Sequence, residues 1–175
     1  MGGSPASVVE IGVEILRLAK KYNLRTFFET GTFQSETALW AVHHFDKVYT
    51  VERDPRLFLD AQAHTQEYPN KLAVLYGDSV DVLEDELPII DDDVIFWLDA
   101  HAMGDQEGGS PVLEELAVIA EALDQPKAIV IDDVLLFEMH TPGWPTPSEV
   151  QLMLRAMGLG CKHLKDVYVA EILEE

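Results

Sequence analysis

The sequence predicts a doubly wound α/β domain built on a mostly parallel sheet. Three observations carry this. Short apolar runs alternate with amphipathic segments of helical period. Two of the runs, Val94–Leu98 (VIFWL) and Ala128–Ile131 (AIVI), are apolar at every position, as strands buried on both faces must be. Each of the first five runs leads into an acid, which right-handed crossovers would gather on one edge of the sheet.

The elements follow in order. Residues 1–6 read as a disordered start, and residues 7–22 as an amphipathic helix with Val8, Ile11, Ile15, Leu18 and Ala19 on one face. Thr26–Glu29 is a first short strand, and Glu36–His44 a helix. Lys47–Glu52 (KVYTVE) is a second strand, and Arg56–His64, after Pro55, a second helix of the alternating part. Leu72–Gly77 is a third strand, with a short helix near Val80–Glu86. The VIFWL strand is followed by a helix over Val112–Leu123, which Pro111 precedes, and then by the AIVI strand. Thr146-Pro147-Ser148-Glu149 is a capping-box sequence with proline at the first helical position, and its helix should end near Gly158. Val167–Ile172 is a last strand, with a short partner near Lys162–Lys165. With no linker or repeat, residues 1–175 read as one domain.

Thirty-two acids against twelve bases give a net charge of −20, which disfavours nucleic acid and anionic membranes as partners. A neutral or cationic small molecule is the expected ligand. Cys161 is the only cysteine, so no intramolecular disulfide forms, as suits a reducing compartment. The N-terminal segment carries Glu10, Glu14 and Arg17, unlike a secretory apolar region. No apolar run approaches the ~18–20 residues that span a bilayer. The expectation is a cytoplasmic protein, either a monomer or a homodimer.

The strand-end acids are Glu29, Glu52, Asp78, Asp99 and the pair Asp132-Asp133. In an open α/β sheet the ligand crevice lies outside those ends. Singly, such an acid often only caps the next helix. The first loop, Glu29-Thr30-Gly31-Thr32-Phe33-Gln34-Ser35, holds one glycine, so it is neither a dinucleotide fingerprint nor a P-loop. An acid there suits a ligand without pyrophosphate and with positive charge. Glu52 follows that loop by about 20 residues, the spacing at which an acid accepts from ribose hydroxyls. Asp78-Ser79 can accept from an adenine amino group. His101, two residues past Asp99, is a candidate general base, a metal ligand or a surface histidine. Trp144, in the Glu138–Thr146 loop, either packs on a ligand or plugs the core. The glycine-rich Ala102–Ser110 segment is a second candidate cover.

The stretches FETGTFQSETALWAV, VYTVERDP, LYGDS, FWLDAH and IVIDDV, from about Thr26 to Val134, resemble the ordered motifs of class I S-adenosylmethionine-dependent methyltransferases. The pattern is most similar to the macrocin O-methyltransferase and cephalosporin hydroxylase group, and more distantly to catechol O-methyltransferase. The resemblance implies a Rossmann-like sheet with a reversed C-terminal strand and S-adenosylmethionine bound over strands one and four. Glu29 and Gly31 would hold its methionine end, with Thr30, Thr32, Ser35 and Asp99 also cofactor contacts. Glu52 would take the ribose, and Asp78 with Ser79 the adenine. Ser35 stands where the family pattern has glycine. The resemblance also implies a divalent cation, Mg²⁺ by its oxygen ligands, on Asp99, Asp132 and Asp133. Asp99 and His101 are then the catalytic candidates, for methylation of a small hydroxylated molecule. A nicotinamide-dependent oxidoreductase and a non-catalytic cofactor-binding protein are the alternatives, though no Tyr-x-x-x-Lys pair supports the first.

Overall fold

The computed structural model describes Pro5, residues 8–101 and residues 109–173. Seven strands form one sheet in the order β3-β2-β1-β4-β5-β7-β6. They are β1 (Thr26–Thr30), β2 (Lys47–Glu52), β3 (Leu72–Tyr76), β4 (Val94–Leu98), β5 (Ala128–Ile131), β6 (Leu159–Leu164) and β7 (Val167–Ile172). β1 to β5 run parallel, and β7 inserts antiparallel between β5 and β6. The doubly wound sheet with a reversed C-terminal strand is therefore as the sequence led us to expect. The partner strand near Lys162 is also present and starts earlier, at Leu159.

The helices are α1 (Val9–Tyr22), α2 (Glu36–Ala41), α3 (Pro55–Thr65), α4 (Ser79–Glu86), α5 (Val112–Ala122), α6 (Val134–Glu138) and α7 (Pro147–Ala156). Pro5, inside the stretch expected to be disordered, is buried, and its carbonyl lies 3.0 Å from where a Cβ on Gly12 would stand. α2 stops three residues before the expected His44, because the chain turns there to drop Phe45 into the core. The short α6 was not legible in the sequence. It is one turn long, and its residues VLLFE have no helical period to read. Thr146 and Glu149 make the anticipated reciprocal cap on α7.

Alternation along the central strands divides the core in two. Phe27, Ile95, Trp97, Ala128 and Val130 face α1 and α2, while Phe28, Phe96, Leu98, Ile129 and Ile131 face the layer of α4, α5 and α7. β1, β4 and β5 are buried along their whole length. Among the described residues no helix is long and apolar enough to cross a membrane. The chain leaves β1 toward β2 on one side and reaches β4 on the other, so strand order reverses between β1 and β4, where doubly wound sheets hold their ligands.

Candidate functional site

A cavity of about 590 Å³ opens at that reversal, and its wall includes Glu29, Gly31, Thr32, Glu52, Asp78, Ser79, Asp99, His101, Asp132 and Asp133. The strand ends thus bring all of the anticipated acids together. Thr30 and Ser35 stand behind the wall rather than in it. Thr30 Oγ1 accepts the Asp99 N–H at 3.3 Å and so ties the end of β1 to the end of β4.

The first loop is shaped by backbone geometry. Gly31 has φ +84°, and a Cβ there would stand 2.6 Å from the Asp99 carbonyl oxygen, so both conformation and space require glycine. The Gly31 and Thr32 N–H groups donate to the Val51 carbonyl, which pins the loop onto β2. Phe33 and Ser35 also take left-handed φ values, of 44° and 65°. The second explains why a glycine suits position 35. Serine holds the turn at some conformational cost, and its buried Oγ has no hydrogen-bond partner.

Glu29 is 1 % exposed and lies at the centre of the site. Thr32 and Thr50 hydroxyls lie 2.6 Å apart, and Thr50 donates in a short bond to Glu29. Burial pushes the Glu29 carboxyl up to about 8, against the pull of the Thr50 and Thr37 hydroxyls, with the Glu52 charge adding to the rise. Glu52 accepts the Phe33 N–H at 2.9 Å on one oxygen and the Asp54 N–H at 2.8 Å on the other. Each oxygen keeps a further lone pair for a ligand. Asp78 caps α4 by accepting from the Val80 N–H at 3.1 Å and also lines the cavity, so the capping and binding roles coexist.

The second half of the site is the β4–β5 rim. His101 Nε2 lies 2.9 Å from Asp133 Oδ2 and 3.8 Å from Asp99 Oδ1. One ligand atom from each of Asp99, His101 and Asp133 falls within 4.8 Å of the others. This differs from the anticipated trio. Asp132 lines the same cavity, but its Oδ1 turns back to accept the Asp133 N–H at 2.8 Å, and His101 takes its place in the convergent set. Asp133 takes a left-handed φ of 56°, and its Oδ2 is the carboxylate oxygen that reaches His101. Burial, followed by the Asp132, Asp133 and Glu29 charges, holds the Asp99 carboxyl far above the usual carboxylate range. Burial likewise pushes Asp132 up to about 7. Such a cluster takes up protons or a cation. Two carboxylates and an imidazole converging on one point fit a divalent ion.

Trp144 takes the core-plugging role of its two anticipated ones. Its ring packs 5.3 Å from Phe137 in the core and 5.3 Å from His101, so it backs the histidine. The Ala102–Ser110 segment lies outside the described residues from 102 to 108. Arg53 and Leu136 also line the cavity and were not singled out. Arg53 could have been, since it directly follows a rim acid.

No protein-family model matches the chain, and no curated protein sequence matches it. Its fold does match solved structures. The O-methyltransferase from Bacillus cereus in complex with S-adenosylhomocysteine superposes with a TM-score of 0.68 at 15 % identity, over 95 % of this chain and 82 % of that one. The O-methyltransferase TomG from Streptomyces achromogenes, in complex with S-adenosylmethionine, gives 0.66 at 15 % identity, over 95 % and 81 %. The precorrin 8w decarboxylase from Methanobacterium thermoautotrophicum gives 0.62 at 16 % identity, over 95 % and 91 %. At these identities the likeness is one of fold, and proteins described by different reactions share it.

Proposed function

We propose that this chain is an S-adenosylmethionine-dependent methyltransferase acting on a hydroxyl of a small neutral or cationic molecule. The observation that carries the reading is the two-sided cavity at the β1/β4 reversal. One side offers the acceptors Glu29, Glu52 and Asp78, and the other offers Asp99, His101 and Asp133. The motif resemblance, extending to the macrocin O-methyltransferase group, assigns those sides to cofactor and acceptor.

On the cofactor side, Gly31 lets the backbone approach the methionine moiety, and Glu29 faces its positive charge. A cationic ligand beside Glu29 draws off the proton that burial has kept there, so binding releases a proton below about pH 8. Glu52 uses its free lone pairs for the ribose hydroxyls, and Asp78 with Ser79 receives the adenine. The negative cavity concentrates a sulfonium and repels phosphorylated acceptors.

On the acceptor side, Asp99 and Asp133, with His101 or Asp132, would hold a divalent cation such as Mg²⁺. When bound, it supplies charge stabilisation and lowers the pKa of a hydroxyl beside it. With Asp132 rather than His101 among the ion's ligands, His101 is left to take the hydroxyl proton, and Asp133, 2.9 Å away, stabilises the positive charge formed on the ring. The acceptor oxygen attacks the methyl carbon in line with sulfur. The carbon–sulfur bond breaks with its electron pair left on sulfur, giving a methyl ether and S-adenosylhomocysteine. The protein's main contribution is the positioning of the two reactants.

The test is a calorimetric and thermal-shift comparison of S-adenosylhomocysteine with NADH. S-adenosylhomocysteine at 100 times its Kd should stabilise the fold by about 2.7 kcal/mol, and NADH should not act. A folded sample that ignores millimolar S-adenosylhomocysteine defeats the reading.

A further inference from the structure

One carboxyl stands just behind the cavity and takes no part in the chemistry above. Glu115, in the first turn of α5, is 1 % exposed, and neither of its oxygens completes a hydrogen bond. Burial pushes its pKa up to about 7. The Ser79 and Thr30 hydroxyls face it and restrain that rise, while the Asp78 and Glu114 charges add to it. α5 otherwise turns Val112, Leu116 and Ile119 to the core. An apolar residue at 115 would serve packing, and the unpartnered carboxyl costs stability there.

What the carboxyl faces gives it a use. Ser79 opens α4 and lines the cavity, so Glu115 backs the wall that Ser79 forms. Thr30, the other hydroxyl it faces, is already an acceptor for the Asp99 N–H. A serine hydroxyl has one proton and two lone pairs. An ionised carboxylate behind Ser79, though short of a completed hydrogen bond, attracts that proton and leaves the lone pairs toward the cavity.

We propose that Glu115 is a positioning residue that makes Ser79 a hydrogen-bond acceptor toward the cavity, so that the site selects a ligand whose base carries an amino group over one carrying an oxo group. The inference rests on the reading of the cavity as an S-adenosylmethionine site with its adenine at Asp78-Ser79. An adenine amino group donates to such a hydroxyl, whereas a hypoxanthine oxygen meets it lone pair to lone pair. Asp78 favours the amino group too, so the share of Glu115 is read by difference.

The experiment is titration calorimetry at pH 8.5, where Glu115 is mostly charged, with S-adenosylhomocysteine and its deaminated counterpart S-inosylhomocysteine. Wild type should prefer the adenine ligand. Glu115→Gln keeps an acceptor oxygen behind Ser79 and should keep the preference. Glu115→Leu frees the hydroxyl to turn and should narrow the preference about tenfold, while raising the melting temperature. Ser79→Ala should narrow it similarly, and Glu115→Leu added to Ser79→Ala should change it no further. An unchanged preference in Glu115→Leu, a loss in Glu115→Gln equal to that in Glu115→Leu, or independent effects in the double variant overturns the proposal. Should Glu115→Leu not fold, an unchanged preference in Ser79→Ala overturns it alone. Binding of neither ligand by wild type brings down the cofactor reading and this inference together. Wild-type binding with unmoved variants brings down only the inference.

Discussion

The two sides of the cavity use the same residue types at the same strand ends and surround them differently. On the β2–β3 side, Glu52 and Asp78 are met by backbone N–H groups at 2.8–3.1 Å, supplied by the loop or helix that follows each strand. On the β4–β5 side, the carboxylates meet one another. Asp99 receives a long 3.4 Å bond from the Trp97 indole, along with the repulsion of Asp132, Asp133 and Glu29. Glu52 and Asp78 are thus held by backbone N–H groups, with no second strand-end acid among these hydrogen-bond partners. A strand-end acid becomes a proton or cation sink when neighbouring strands deliver further acids to the same point. The first side is built to present fixed acceptors, and the second to respond to what binds.

The largest expected effect comes from breaking the joint between the sides. Gly31→Ala puts a Cβ 2.6 Å from the Asp99 carbonyl at a left-handed φ, and should cost about 3 kcal/mol in urea denaturation. It should impair ligand and Mg²⁺ binding together, whereas a loss confined to one would mean that the sides are independent.

Next in size is pH. Glu29, Asp132 and Glu115 have folded-state pKa values raised to about 8, 7 and 7. The unfolded chain gives up these protons first, so their contribution is full below about pH 4 and is lost as pH rises to about 8. Each of these carboxyls should cost the ligand-free protein on the order of 2 kcal/mol between pH 5.5 and 8.5. Denaturation midpoints that rise over that interval would contradict the protonated state assigned to these three buried carboxyls. Lowered carboxyls such as Glu171, at about 2, act only in more acidic solution.

Glu52→Ala sharpens the account of the fixed side. It should weaken S-adenosylhomocysteine binding by about 1.5–2 kcal/mol in calorimetry, through lost ribose bonds and a loosened Phe33 N–H. An unaltered Kd would leave Glu52 as a loop staple only.

The smallest effect isolates the cation. Mg²⁺ at ten times its Kd should add ~1.4 kcal/mol, or ~3–6 °C in melting temperature, beyond NaCl of equal ionic strength. The control is required because a chain of charge −20 gains from any screening salt. Asp133→Asn should remove the Mg²⁺-specific part, and identical salt curves in wild type would exclude the ion.

The strands, their parallel direction up to β5 and the gathering of acids on one edge were legible in the sequence. Those follow from local apolar runs and from the handedness of crossovers, which need no knowledge of partners. The tertiary structure decided the rest, because it depended on which groups came to face each other. Asp132 and Asp133 are indistinguishable as neighbours in a sequence, yet in the fold Asp133 lies 2.9 Å from His101 while Asp132 accepts the Asp133 N–H. Glu115 reads as one more acid in a helical first turn beside Glu114, yet the packing of α5 on α4 buries one and leaves the other at the surface. Ser35 was legible as an exception to a glycine position, but its reason, a φ of +65°, belonged to the folded loop. Burial and mutual charge are sums over distant parts of the chain, so whether an acid is a cap, a sink or a support is settled only when the strands are side by side.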